Sequence, residues 1–266
     1  EHTGRYFNHN VHSVRVLDDM VNWNISLQTL DGILCHNGEL ELKEYRPCEM
    51  STFVEYDKKV EACYVDEKAI GELIPCTLEG CVMRICDIIA YLGKDRQDAM
   101  RLNLLKESPF TAGAIGTSNG EIINNFSVNI IENSYGKDYL KMDEEYFDAL
   151  RQAKKENYEM IYNNKLLNDL YENEIRPMFG ELYEELLRQA ESGDKSSVFY
   201  RHHMAYMEKN NFYIKSHVRK PYAEQEKNQL VVDYLASMTD DYFIALYHYL
   251  FPKGKHDVKF VGYFDL

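Results

Sequence analysis

Apolar side chains recur at helical spacing along most of the chain. Val14, Leu17 and Val21 predict a helix over residues 9–21 whose opposite side carries His9 and His12. Leu27, Leu30 and Leu34 repeat the device over 25–38, with His36 turned away from the stripe. Residues 40–76 mix both patterns between Pro47 and Pro75, and a short helix is expected over 57–73. Thr77 then reads as an N-cap with Glu79 in the first turn, and Cys81, Ile85, Ile88 and Leu92 form the stripe of the clearest helix. Gly93 permits a bend, and a further helix over 95–105 must stop before Pro109. After a Gly-, Ser- and Thr-rich loop over 111–120, helices are expected over 121–134, 143–173, 177–191, 197–210 and 223–250. Arg176-Pro177, Gly193 and Pro221 separate them, and Asp240-Asp241 fits a helix start. Val258 to Phe264 alternate weakly, as a terminal strand or an ordered tail. The predicted fold is all-α, one continuous helical unit over 1–266 with no internal repeat.

Composition narrows this further. With 266 residues, 45% apolar and 28% charged, the chain can bury a full core. Its 14 glycines and 6 prolines are too few for the tight turns of a β-sandwich. A net charge of -14 argues against an extended nucleic-acid interface, while a local phosphate site stays open. Six cysteines without a CxxC pair fit free thiols in a reducing, cytoplasmic setting. No apolar run approaches the roughly 20 residues of a membrane-spanning helix, so no membrane partner is expected.

Asp87, Tyr91 and Asp95 repeat every four residues beside the Cys81/Ile85/Ile88/Leu92 face. Such a stripe would build the wall of a cleft. A carboxylate between Cys86 and Ile88 is costly to bury unless a metal or a cation pairs with it, so Asp87 is either a ligand or the partner of Arg84 or another cation. His9 and His12 share a helix face and suit a metal or a phosphate; the alternative is imidazoles at a helix end bonded to carbonyls. With His36, Glu39 and Asp87 they could assemble a divalent-metal set, although nothing in the spacing shows that these segments meet. Tyr158 and Tyr162, two of 21 tyrosines, read first as packing. Arg201-His202-His203 reads as a solvent-facing run. No GxGxxG after a strand, Walker loop, GxSxG or HExxH is present.

Four ordered segments resemble the deoxyguanosine triphosphate triphosphohydrolase family of the HD superfamily. They are Phe7-Asn-His9-Asn-Val-His12-Ser-Val-Arg15-Val-Leu, similar to its FxHNxQSxRxL helix, and Leu30-Asp-Gly-Ile-Leu-Cys-His36-Asn-Gly-Glu39, similar to its (E/D)GIxxHxGE element. The third runs from Leu78 through Arg84, Asp87, Tyr91 and Asp95 to Asp98-Ala. The last is Val232-Asp-Tyr-Leu-Ala-Ser-Met-Thr-Asp240, similar to VxDYIAGMTD. The resemblance implies an HD-type helical bundle, with its remaining core over 1–110 and an accessory helical region over 111–266. It implies a divalent metal, Mg²⁺ or Mn²⁺, held by a histidine, a His-Asp doublet and a distant aspartate placed at Asp87. The one doublet in the chain, His256-Asp257, lies at the wrong end, so the other ligands are expected before Glu1, which reads as a cut through a longer protein.

By the same resemblance, His9 faces the phosphate and Tyr91 meets the triphosphate or sugar. Asp95 takes the sugar 3′-hydroxyl, while Tyr162 packs on C2′ with Asn163 beside it. His12 stands where the family has glutamine, and Arg15 and His36 support the residues that touch substrate. The implied reaction is metal-assisted hydrolysis of a deoxynucleoside triphosphate at the α-phosphorus, releasing intact triphosphate. The chain by itself is expected to be inactive. A non-catalytic nucleotide- or partner-binding module of the same scaffold is the alternative reading, and a different HD phosphohydrolase is disfavoured by the C-terminal signature. The apolar helical surface over 224–251 leads us to expect a homo-oligomer.

Overall fold

The computed structural model describes residues 4–37, 41–105, 110–210 and 221–258. Within them the chain is all-α, apart from one pair of two-residue strands. Its contacts group into two units, one of residues 5–14 and 24–164 and one of residues 15–23 and 165 onward.

In the first unit, α1 (His9–Arg15) runs on through a π-helical turn, Val16–Met20, whose residues already belong to the second unit. α2 (Leu27–Leu34) is capped by Ser26, whose hydroxyl accepts from the Thr29 N–H at 3.2 Å. β1 (Glu44–Tyr45) follows. α3 (Phe53–Val65) starts four residues before the expected 57, because Thr52 and Glu55 form a reciprocal capping box. α4 (Leu78–Arg101) begins at the Thr77 cap, as predicted, with the hydroxyl on the Gly80 N–H at 3.0 Å. A second capping box, Ser118 with Glu121, starts α5 (Asn119–Ser134) inside the expected loop. β2 (Leu140–Lys141) pairs antiparallel with β1, Glu44 opposite Lys141, and α6 (Glu144–Asn157) closes the unit.

Gly93 does not bend the chain: α4 is continuous through it. A Cβ there would lie 2.8 Å from the Asn119 Cα, so this glycine is a close-approach point that lets the start of α5 press against α4. The α4 stripe of Cys81, Ile85, Ile88 and Leu92 packs on Ile122 and Phe126 of α5 and Leu150 and Ala153 of α6. Ile88 and Leu92 are fully buried, each contributing roughly 1.5–3 kcal/mol by transfer from water. A neighbouring cluster joins Val11 and Val14 to Leu30 and Leu34 of α2 and Tyr56 of α3.

In the second unit, α7 (Lys165–Leu170), a π-helical turn (Tyr171–Ile175) and α8 (Arg176–Ser192) follow without a break. The expected boundary at Arg176-Pro177 is therefore absent. Pro177 is the second residue of α8, just past the π-helical turn and inside a continuous helical run. The helix expected over 143–173 instead ends at Asn163-Asn164, after a π-helical turn, Tyr158–Tyr162. A further π-helical turn (Phe199–Met204) leads into α9 (Ala205–Asn210). The helix expected over 223–250 is two: α10 (Lys227–Ala236) stops at Ser237, and Thr239 caps α11 (Asp240–Leu250), leaving the two aspartates in its first turn. Met178, Leu182, Leu186, Phe199, Val231 and Tyr247 form the core of this unit. The strand expected at Val258 to Phe264 lies almost wholly outside the described residues. Among the described residues no helix is long and apolar enough to cross a membrane.

Candidate active site

α4 presents Asp87, Tyr91 and Asp95 in one row, all half-buried beside the apolar stripe. The π-helical turn after α6 swings Tyr162 to the same place, where its hydroxyl donates to the Asp95 carboxylate. Burial first, then that hydrogen bond and the charge of Asp95, push the Tyr162 phenol well above its ordinary range, so it is a donor at neutral pH. Tyr158 meets Tyr162 edge to face, ring centres 6.4 Å apart. Tyr158 is 60% and Tyr162 42% exposed.

Tyr91, Tyr158 and Tyr162 line a pocket of about 680 Å³ together with Glu41, Leu92 and Asn157, the polar side of α6, which supplies Asp148, Arg151, Gln152, Lys154 and Lys155, and Glu159 of the π-helical turn. Lys154 pairs with Glu41 across the wall. Lys155 stands 3.9 Å from Glu159 in an exposed pair that adds little stability. The lining thus sets aromatic rings beside three cations and three carboxylates.

The pocket rests on a buried polar lock that the sequence pattern did not reveal. Arg96, one residue beyond Asp95 and turned inward, donates to Asn157 Oδ1 at 2.7 Å, Ala153 O at 3.1 Å and Glu156 Oε2 at 3.1 Å, and lies 4.0 Å over the Phe110 ring. Thr111 and Gln152 also donate to Glu156, and Asn157 donates to the Leu92 carbonyl at 2.9 Å. Burial alone would raise the Glu156 carboxyl. The hydrogen bonds of Gln152 and Thr111 and the Arg96 charge outweigh it and hold the group below its usual range. A signal existed: Arg96 continues the inward row Ile85, Ile89, Leu92, Ala99, and a cation on that row demands a buried partner.

A second grouping sits at the start of this unit. The His9 ring meets the His36 ring edge to face at 5.2 Å, and His36 Nδ1 lies 2.5 Å from the Ile33 carbonyl. Asn10 ties α1 to α2 by donating to Leu34 O at 3.0 Å, and His12 stacks near Phe7, 5.4 Å away. Asn163 is exposed and does not line the pocket; its N–H closes the π turn on Tyr158 O at 2.9 Å. Arg84 is buried and donates to the Leu73 carbonyl. Among the described residues no three His, Cys, Asp or Glu side chains stand close enough to hold a metal, and Glu39 lies outside those residues. Asp87 by itself does not make a metal site, since one carboxylate leaves most of an ion's coordination sphere unfilled.

Arg15 serves elsewhere. In the second unit its guanidinium grips Asp233 with two bonds of 2.7 Å and reaches Gln225 at 2.6 Å. Asp233, fully buried, also accepts from Tyr222 at 3.0 Å and Gln229 at 2.9 Å. The Tyr222 hydroxyl lies 2.7 Å from His203 Nε2, and His203 stacks on Tyr234 at 4.8 Å. His203 was expected to face solvent and is instead buried, and burial pushes its imidazole down to about 4 against the opposing charge of Asp233. The Asp233-Tyr234 pair of the C-terminal signature is thus a structural anchor.

Comparison with known proteins places this architecture. The phosphohydrolase-associated domain family matches residues 177–249, from the first turn of α8 into α11. A deoxyguanosinetriphosphate triphosphohydrolase-like protein of Clostridium tetani is 25% identical over 260 residues, 93% of this chain and 60% of the relative. The chain is similar to the deoxyguanosinetriphosphate triphosphohydrolase-like proteins. Others so named are 27% identical over 66% of the chain in Caldanaerobacter subterraneus and 29% identical over 61% of it in Clostridium perfringens. The chain spans 60%, 47% and 43% of the length of these three relatives. No solved structure matches it. The C. tetani match extends over both units.

Proposed function

We propose that the protein hydrolyses deoxynucleoside triphosphates to deoxynucleoside and inorganic triphosphate, and that the pocket beside α4 and α6 receives the sugar and phosphates. The observation that carries this reading is the Tyr162 hydroxyl on Asp95, with Tyr91 alongside, at a pocket bearing Arg151, Lys154 and Lys155. A carboxylate has about four lone-pair positions, so Asp95 can hold Tyr162 and still accept a sugar 3′-hydroxyl. Tyr162 then packs against C2′, where a 2′-hydroxyl would be desolvated without a partner. Tyr91 and the α6 cations face the phosphates and offset locally the net charge of -14. Asn163, next to Tyr162 in the chain, stands outside the pocket lining, so this reading gives it no contact with the sugar. His9, steadied by His36, supplies a proton or positive charge to the phosphate oxygens, and His12 stands behind it.

Asp87 is proposed as one carboxylate ligand of Mg²⁺ or Mn²⁺. When bound, such an ion acidifies water and screens the oxygens under attack. The chain's own residues bind and orient the nucleotide and hold the proton donor.

The test is product analysis with Mg²⁺ or Mn²⁺ on the protein and its Asp87→Ala variant, beside equilibrium binding of each deoxynucleotide. Triphosphate release lost in Asp87→Ala is expected, together with at least tenfold weaker binding of ribonucleotides that relaxes in Tyr162→Ala. Binding without triphosphate from any deoxynucleotide would move the reading to a nucleotide-binding module. Failure to bind would overturn the pocket assignment.

A further inference from the structure

Away from the pocket, at the entry to α4, the first unit gathers thiols around one ion pair. Asp31, fully buried on α2, accepts from Lys59 Nζ at 2.7 Å and from the Cys76 N–H at 2.6 Å, and the Cys35 Sγ lies 3.5 Å from it. Lys59 also donates to the Ile74 carbonyl at 2.6 Å, and the Cys48 Sγ donates to that same oxygen at 3.1 Å. Ammonium and thiol are therefore neighbours on one acceptor. The Cys48 N–H bonds the Pro75 carbonyl at 2.9 Å, which with covalent geometry keeps the Cys48 and Cys76 Cα atoms within about 7 Å of each other. Disulfide-linked residues lie in this range, typically about 4.4–6.8 Å. Both cysteines are partly exposed, whereas Cys35, Cys63 and Cys81 are buried.

We propose that Cys48 and Cys76 form a reversible thiol pair, oxidised to a disulfide by small-molecule disulfides. Cys48 is the attacking thiol, the partly exposed one that shares the Ile74 carbonyl with Lys59. Its sulfur displaces one RS⁻ from an RSSR oxidant and forms a mixed disulfide. The Cys76 sulfur then attacks the Cys48 sulfur, closing the protein disulfide and releasing the second RS⁻. The two thiol protons pass to solvent and to the leaving thiolates, so the protein loses two electrons and the oxidant becomes two RSH. Burial and the Asp31 carboxylate push the Cys76 thiol up to about 11, which disfavours it as the first attacker; its attack on Cys48 is the intramolecular one, helped by proximity. Because Cys76 directly precedes the Thr77 cap, the bond would fasten the start of the helix that carries Asp87, Tyr91 and Asp95.

The test treats the full chain with oxidised glutathione and maps its peptides by mass spectrometry, with Cys48→Ser, Cys76→Ser and, as control, Cys86→Ser. Cys86 is exposed and lies on α4 outside this cluster. A Cys48–Cys76 crosslink in the wild type and in Cys86→Ser, lost on reduction, is expected. Cys76→Ser should stop at a glutathione adduct on Cys48, and Cys48→Ser should show at least a tenfold slower loss of free thiol at position 76. A stable Cys48 adduct in the wild type, or modification of Cys86 alone, would overturn the proposal. So would a crosslink that engages Cys35 or Cys81 instead.

Discussion

Replacing Arg96 with methionine tests the polar lock under the pocket. The change keeps an unbranched stem in a site where the arginine and glutamate side chains are 3% and 5% exposed. It deletes the bonds to Asn157, Ala153 and Glu156 and leaves a buried carboxylate held only by Thr111 and Gln152. Breaking a buried pair from one side costs about 3–5 kcal/mol, because the remaining charge keeps its desolvation penalty. With a urea m-value of about 1–3 kcal/mol/M, the unfolding midpoint seen by far-UV circular dichroism should fall by roughly 1–5 M. Glu156→Gln in the Arg96→Met background removes the stranded charge, so the double variant should be more stable than the sum of the single effects by about 2 kcal/mol or more. The sign with pH follows from the depressed Glu156 pKa. Its contribution is present above the unfolded carboxylate value of about 4.3 and disappears as pH falls through the lower folded value, so Arg96→Met should flatten the acid limb. A loss below about 1 kcal/mol, or strictly additive effects, would refute the reasoning, since neither fits a desolvated pair.

Other outcomes follow from the same contacts. Gly93→Ala should destabilise by about 1–3 kcal/mol in urea titrations, because its Cβ meets the Asn119 backbone, whereas an open helix position would gain about 1 kcal/mol from the same change. Asp233→Ala removes the two-bond partner of Arg15 in the second unit, leaving it Asp19 and Gln225, and should cost about 3 kcal/mol; Trp23, the sole tryptophan and in that unit's 15–23 segment, reports the transition by fluorescence. His203 is held neutral when folded, down to about 4, so stability should fall as pH drops from its unfolded value of about 6.5, by up to about 3 kcal/mol. Thermal melts of His203→Asn should lack that slope.

Much of the fold was legible along the chain, because a helix that buries one stripe must repeat its apolar residues every three or four positions. The stripes of α2 and α4, the Thr77 cap and the row Asp87, Tyr91, Asp95 follow from that periodicity alone. Two capping boxes, Thr52 with Glu55 and Ser118 with Glu121, stand in the sequence as plain signals, and periodicity, which overlooks them, misplaces the starts of α3 and α5. Periodicity says nothing of which faces meet. That Gly93 is a contact rather than a bend was decided by the approach of α5. Pro177 continues a helix because the preceding turn is wide, and Asn163-Asn164 ends one where no proline stands. The residues singled out chemically were divided by tertiary structure: Tyr91, Asp95 and Tyr162 share a pocket, His9 and His36 share a ring contact, and Arg15 belongs to the Asp233 anchor. Arg96 lies 60 residues from Glu156 in the chain, and each is ordinary until burial removes water and leaves its charge to be met by protein groups.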